Sequence, residues 1–489
     1  MKVVASAIFS VSSFISLIFM TRYVGEAYGM MMWGMSLVAM INSALDIGFH
    51  SANIKKVSEG KDISRCVSTY LAIRAAMSAV TVCAVLSASL LMNHFNGGFP
   101  AEFWAVTSVF ILYFVLDNFL LVMTGTFIGK MDAGKESAVL TTEYLVRAAF
   151  LIVFAVMGAS AVILSFGYIA GVAAALIVSF LLFRPLKVRL VRPAFFREYA
   201  SFAAPLAVPL VLIAVIASVD KVIIGMYHGE LEVGFYTAAA GIIYSLVTLG
   251  TVMNGLLLSH MSKLNKEGRR DEARKTLWAA QKYLAVLMLP ATVFLLMFGN
   301  EAAVALFKAG FASSGPVLSV LGLNIYLAVL AGMLSQVLLS MNRTVLYGKS
   351  AAVYAVLTLV LFFVLIPGRF FDGPSGAVGA AAALVIGNFV FVVLLVIATR
   401  MAGTFSVYPR IYIHVAAALC VFAMLYGIKE YLGPSGILWL VALAFLSVAV
   451  YAAMLIAVRE ITKKDILFIR ETVSPKNIYE DLKDEMRGR

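Results

Sequence analysis

Five ionisable side chains stand where ions are expensive. Arg74, Asp117, Glu143 and Arg147 lie inside long apolar runs, and Lys282 lies at the start of another. A charge placed in hydrocarbon has to face a partner or a water-filled cavity, so each is a candidate for binding or for bracing. Two cations and two carboxylates in one region could grip an anionic group such as a phosphate, or pass a cation. Glu143 and Arg147 are spaced i,i+4, so on a helix they can touch. Arg74 follows Gly60 by the same fourteen residues by which Lys282 follows Gly268, and both glycines sit in Glu-Gly-basic stretches. That coincidence points to a repeat, with the two cations at equivalent positions.

The elements that carry these residues are set by composition. Of 489 residues, 62% are apolar and 13% charged, with a mean hydropathy of +0.97. A soluble chain of this size carries roughly 25% charged residues, so most of this surface must face lipid. Apolar runs fall at about 3–20, 30–48, 66–93, 101–124, 138–158, 160–183, 203–226, 233–260, 277–298, 316–341, 351–366, 376–399, 411–428 and 436–458. Each suits a helix crossing a hydrocarbon core of about 30 Å. The expectation is an all-α polytopic membrane protein of fourteen transmembrane helices. A soluble enzyme is excluded, as is a β-barrel, whose segments would alternate.

The formal charge of +12 is unevenly spread. If the N-terminus, the loops after even-numbered spans and the C-terminal tail share one side, that side holds 30 of the 38 Lys and Arg residues. Basic loops stay cytoplasmic, so both termini are expected there, in a cell membrane. The charge therefore reports orientation and attraction to membrane lipids, and no nucleic-acid partner is expected. The apolar positions of the 459–489 tail suit a helix lying along the inner surface.

The repeat now gains a scale. Gly25-Glu26-Ala27-Tyr28-Gly29, an apolar span and Glu59-Gly60-Lys61 reappear in order as Gly229-Glu230, a span and Glu267-Gly268-Arg269. Residues 1–183 and 201–400 then form two six-helix lobes of equal orientation, joined by a basic linker at 184–200. Residues 401–458 supply two appended helices, ahead of the tail. Parallel repeats related by an axis along the membrane normal are a transporter plan with the substrate path between the halves. On it, Arg74 and Lys282 face one cavity from opposite lobes and suit an anionic group.

Counting about 1.5 Å per residue from the basic side, Arg74, Asp117, Glu143 and Arg147 lie roughly 8–13 Å deep. They either brace three helices or form the polar wall of a cavity. Of the two arginines, Arg74 is the one expected to meet substrate, and the Glu143–Arg147 pair to brace. Asp46 is expected near a helix end at the interface. Asp220 and Lys221 are adjacent, about 100° apart on a helix, and are not expected to pair. Pro205 and Pro209 each remove a ladder hydrogen bond and mark a hinge in the seventh span, with a weaker kink at Pro290. No phosphate-binding loop, nucleophile elbow or metal-ligand spacing occurs, and Cys66, Cys83 and Cys420 follow no pairing pattern. The reading is not an enzyme, with no cofactor and no metal.

Arg22 followed by Gly25-Glu26 and Gly29, then Asp46 and Gly48 before a basic loop, resembles the first helical pair of Wzx-type oligosaccharide flippases. Pro205, Asp220, Gly225, Gly234 and Tyr236, followed by the Lys263–Arg270 loop, resemble that family's seventh and eighth helices. The resemblance runs across the span order of the whole chain and places it in the superfamily of multidrug (MATE) antiporters and lipid II flippases. It implies an alternating-access carrier of an isoprenoid-phosphate-linked oligosaccharide, moved from the inner to the outer leaflet for surface glycan assembly, alongside glycan-assembly membrane proteins. Lipid II flippases carry arginines on the second and eighth helices, and this chain has none there. A cation-coupled MATE-like antiporter is the alternative, for which Asp117 and Glu143 leave Na⁺ or H⁺ coupling open.

Overall fold

The computed structural model describes residues 2–95, 99–204, 207–368, 373–403, 407–433, 436–462 and 465. Among them there are sixteen α-helices and no strand. Thirteen helices are long and apolar enough to cross a membrane, and a bent pair makes up to fourteen. They match the apolar runs one for one, with the bent pair in second place. Backbone polar groups in lipid must be satisfied within the segment, which is why these runs fold as helices.

The second span departs from expectation. Helix α1 (Lys2–Tyr23) is followed by α2 (Gly25–Leu45) and α3 (Phe49–Ser58), which meet at a bend of 51°. Gly48 makes the bend possible with φ of 104°, a left-handed conformation that glycine adopts without a Cβ clash. Asp46 closes α2, and its carboxylate accepts from the His50 N–H at 3.4 Å. A residue placed by sequence at the interface is thereby turned towards its neighbours.

Next come α4 (Ile63–Phe95), α5 (Ala101–Gly129), α6 (Ala133–Val156) and α7 (Ala161–Phe183). Asp132 caps α6 by accepting from the Lys135 N–H at 3.3 Å. A neighbouring ion pair and hydrogen bond from Lys135 hold the Asp132 carboxyl below its ordinary range. Then follow α8 (Phe196–Ala203), α9 (Ala207–His228), α10 (Glu230–Lys266) and α11 (Arg270–Phe307). Pro209 stands in the first turn of α9, while Pro205 lies outside the described residues. The kink expected at Pro290 is displaced: α11 loses helical geometry at Phe298, beside Gly299, where a Cβ would sit 2.2 Å from the Ser319 hydroxyl. The chain ends through α12 (Ser314–Ser340), α13 (Thr344–Leu365), α14 (Gly376–Met401), α15 (Ile411–Leu432) and α16 (Ile437–Ala457).

Two compact units emerge. One joins Lys2–Ala238 to Ala355–Ala380, the other Ala239–Tyr354 to Ala381–Arg489. In the first unit α9 packs on α2 through glycines. A Cβ on Gly225 would lie 2.2 Å from the Trp33 ring, and where α10 begins, one on Gly29 of α2 would lie 2.1 Å from the Glu230 carbonyl oxygen. In the second unit α11 is the central helix, packed on α12, α15 and α16.

The repeated Glu-Gly turns share one backbone form. Gly60 has φ of 76° and Gly268 has φ of 72°. Lys61 N–H reaches Lys56 O, and Arg269 N–H reaches Leu264 O, so both helices end in the same left-handed glycine cap.

Candidate functional site

The first unit gathers the charged residues that the sequence singled out. Arg74 on α4 is 1% exposed, yet four of its five N–H directions meet acceptors. Nη2 lies 2.6 Å from Asp46 Oδ2, Nε donates to the Tyr70 hydroxyl at 2.7 Å, and Nη1 donates to Asn118 Oδ1 at 3.0 Å. The Tyr70 hydroxyl also receives Nη2 and sits 3.1 Å from His50 Nδ1. Asn118 passes the network on, donating to Asn42 Oδ1 at 2.9 Å and Ser78 Oγ at 3.0 Å. One guanidinium thus ties α2, α3, α4 and α5 together. Asp46, at the end of α2 as its sequence position suggests, is its ion-pair partner: the α2–α3 bend aims the carboxylate at α4.

A second arginine stands in a different setting. Arg147 on α6 bonds Glu143 Oε1 at 3.1 Å, the i,i+4 contact that the spacing allows. Its guanidinium carbon lies 5.3 Å from the centre of the Tyr144 ring and 5.1 Å from that of Tyr168. Such cation–π contacts hold the charge without saturating its N–H groups. Arg147 opens onto a cavity of about 250 Å³, walled by Phe9, Ser13 and Ser16 of α1, Met35 of α2, Tyr144 of α6 and Tyr168 of α7. Aromatic faces, hydroxyls and one guanidinium are a lining able to stack sugar rings and meet a phosphate.

Asp117 links the two arginines. It precedes Asn118 on α5, is half-buried, and lies within electrostatic reach of Glu143, Arg74 and Arg147. Among the described residues its carboxylate has no hydrogen bond or ion pair. Arg74 and Arg147 keep separate ion-pair partners, Asp46 and Glu143, with Asp117 within electrostatic reach of both arginines.

Lys282 belongs to the second unit. It bonds Asp465 Oδ2 at 3.0 Å, while Tyr283 donates to Asp465 Oδ1 at 2.7 Å and the Thr462 N–H donates at 2.8 Å. Burial acts to raise the Asp465 carboxyl, but the donors from Tyr283, Thr462 and Lys282 outweigh it and hold it well below the ordinary carboxylate range.

Asp220 and Lys221 require a correction. Lys221 Nζ lies 2.8 Å from Asp220 Oδ1, and Tyr236 donates to Asp220 Oδ2 at 2.6 Å. The four-carbon lysine stem spans the 100° between neighbouring positions, so adjacency does not forbid the pair. Asp220 is 1% exposed and fully committed to this contact set.

A family model described as polysaccharide biosynthesis protein matches residues 19–314, more than half the chain. The chain belongs to that family. Among solved structures it is similar to the lipid II flippase MurJ in an inward closed conformation, with a TM-score of 0.76 at 13% identity over 94% of this chain and 98% of that one. It is also similar to an inward-facing multidrug resistance MATE family transporter of the MOP superfamily, with a TM-score of 0.64 at 16% identity over 81% and 94%. A third likeness is a MOP superfamily transporter from Pyrococcus furiosus whose binding pocket has reversed polarity (TM-score 0.56, 15% identity, 81% and 95% coverage). Compared with curated protein sequences, the chain finds no match. At these identities the structural likenesses establish the fold, and with it a multi-pass membrane protein. The residues that build the Arg74 network were only partly visible beforehand. Asn42 and Asn118, two amides inside apolar runs, were the signal that could have found it.

Proposed function

We propose that this member of the polysaccharide biosynthesis family is a flippase for an isoprenoid-phosphate-linked oligosaccharide, working by alternating access in the cell membrane with both termini in the cytoplasm. The observation that carries the reading is the cavity at Arg147. A guanidinium held between tyrosine rings offers open N–H groups to a phosphate, which it matches by bidentate geometry. Tyr144, Tyr168, Ser13 and Ser16 supply the stacking faces and hydroxyls that sugars need. Arg74, sealed by Asp46, Tyr70 and Asn118, braces the helices that hold this wall. The expected division of labour between the arginines is thus reversed: Arg147 presents to substrate and Arg74 positions.

Asp117 fits a coupling cation, H⁺ or Na⁺, because a half-buried carboxylate without a partner gains most from neutralisation. Pro205 and Pro209 keep the hinge role that their spacing suggests. We assign no catalytic step to the chain. The test is reconstitution in vesicles with a fluorescent lipid-linked oligosaccharide. Protein-dependent translocation is expected, faster under an imposed cation gradient. Absence of translocation, together with dye efflux driven by Na⁺ or H⁺, would overturn the reading in favour of an antiporter of the same fold.

A further inference from the structure

A second concave surface of the first unit shares no residue with the Arg147 cavity. It is a groove of about 580 Å³ between α4, α5 and α7, within the size range of small-molecule sites. Leu71, Phe119, Phe180 and Phe183 wall it, and Arg184 and Lys187 close one end. Both cations are exposed, and neither side chain has an acidic partner among the described residues.

The cations are held there by the chain that carries them. After α7 a short 3₁₀ turn, Arg184–Leu186, leads into Lys187 with φ of 47°, a left-handed conformation that costs a non-glycine residue. The linker then lies along the start of α4. Arg189 N–H bonds Ser64 Oγ at 3.2 Å, Val191 N–H bonds Ser68 Oγ at 2.9 Å, and Ala194 N–H bonds Thr69 Oγ1 at 3.2 Å. A row of hydroxyls on one face of α4 thereby pins a basic segment at the mouth of an apolar groove. The wall on α5 runs from Leu116 to Met123, about 10 Å along the helix. That length matches part of one leaflet of a hydrocarbon core about 30 Å thick.

We propose that this groove is a binding site for an anionic phospholipid of the bilayer, one acyl chain lying between α4, α5 and α7 and the phosphate against Arg184 and Lys187. The charge pattern chooses the occupant. A zwitterionic lipid would fill the apolar part equally well but leave the two cations without net compensation. A bound anionic lipid bridges three helices and the linker, so it stabilises the unit that carries the Arg147 cavity without entering that cavity.

The test uses the full-length protein in delipidated detergent micelles, with native mass spectrometry and thermal melting as readouts. Dioleoyl-phosphatidylglycerol is expected to bind more tightly and raise the melting temperature more than dioleoyl-phosphatidylcholine. The double variant Arg184→Gln/Lys187→Gln is expected to weaken phosphatidylglycerol binding about fivefold per charge removed. Arg343→Gln/Lys349→Gln, an equal charge change elsewhere, should leave the binding unchanged. Leu71→Trp, which fills the groove while keeping both cations, should remove the same bound lipid. Equal binding of the two lipids, or phosphatidylglycerol binding unaffected by both groove variants, would overturn the proposal. So would displacement of phosphatidylglycerol by an isoprenoid phosphate, which would make the groove a substrate-tail site, or by inorganic phosphate, which would make it a simple anion site.

Discussion

The two halves of the repeat begin alike and end differently. Gly60 and Gly268 cap their helices with the same left-handed turn, and fourteen residues later each half places a cation. In the first half that cation, Arg74, is sealed by Asp46, Tyr70 and Asn118. In the second, Lys282 on α11 is partly exposed and pairs with Asp465, from the segment after α16. The cause lies upstream. The first copy breaks at Gly48 into α2 and α3, which turns Asp46 onto α4. The second copy runs unbroken as α10 from Glu230 to Lys266 and offers no such carboxylate. A duplicated position therefore inherits its backbone and its charge, while its partners depend on what the neighbouring helix does.

The contrast can be broken most forcefully at Arg74. Replacing it by Ala leaves Asp46 and Tyr70 facing a buried gap, and a loss of about 3–5 kcal/mol is expected from removing one partner of a buried pair. Thermal melting of the purified protein checks this. The double change Arg74→Met/Asp46→Leu should recover most of the loss, because it strands no charge. A small effect of Arg74→Ala would mean the residue is not a brace.

Arg147 separates bracing from binding inside the same unit. Glu143→Gln/Arg147→Gln removes both charges together and strands neither, so its stability loss should stay below the loss of about 3–5 kcal/mol that comes from breaking a buried pair from one side. Lipid-linked oligosaccharide translocation should fall at least about tenfold, the scale of one lost charged hydrogen bond. Normal translocation in this variant, at unchanged abundance, would remove Arg147 from the substrate site.

The shared turn supplies a control on the repeat itself. Gly60→Ala and Gly268→Ala force a Cβ into left-handed backbone and should each cost about 1–2 kcal/mol. Open space surrounds both positions, so the cost is purely conformational. Unequal costs would show that the two turns are not equivalent.

The smallest effect is expected at the Lys282–Asp465 contact. Lys282→Gln should cost about 1 kcal/mol at most. Because the Asp465 carboxyl is held below its unfolded range, its contribution is present above the ordinary carboxylate pKa and fades as pH falls through the folded one. Melting of wild type and Asp465→Asn should therefore converge only when the pH drops below about 4. Convergence already near neutral pH would contradict the contact.

Much of this protein was set by its sequence alone. Hydrophobic run length determined the number and order of the spans, since hydrocarbon leaves a chain of this composition no alternative to helices. Glycines at 60 and 268 determined matching turns, because a left-handed cap needs a residue without a Cβ. The i,i+4 spacing determined that Glu143 and Arg147 can meet. Only the tertiary structure decided which arginine is enclosed and which is open. That outcome rests on a bend at Gly48, on amides at Asn42 and Asn118 whose direction no spacing reveals, and on tyrosines at 144 and 168 brought from separate helices to one guanidinium. Side-chain partners across helices depend on how the helices rotate and bend against each other. Periodicity along a uniformly apolar helix carries almost no record of that rotation.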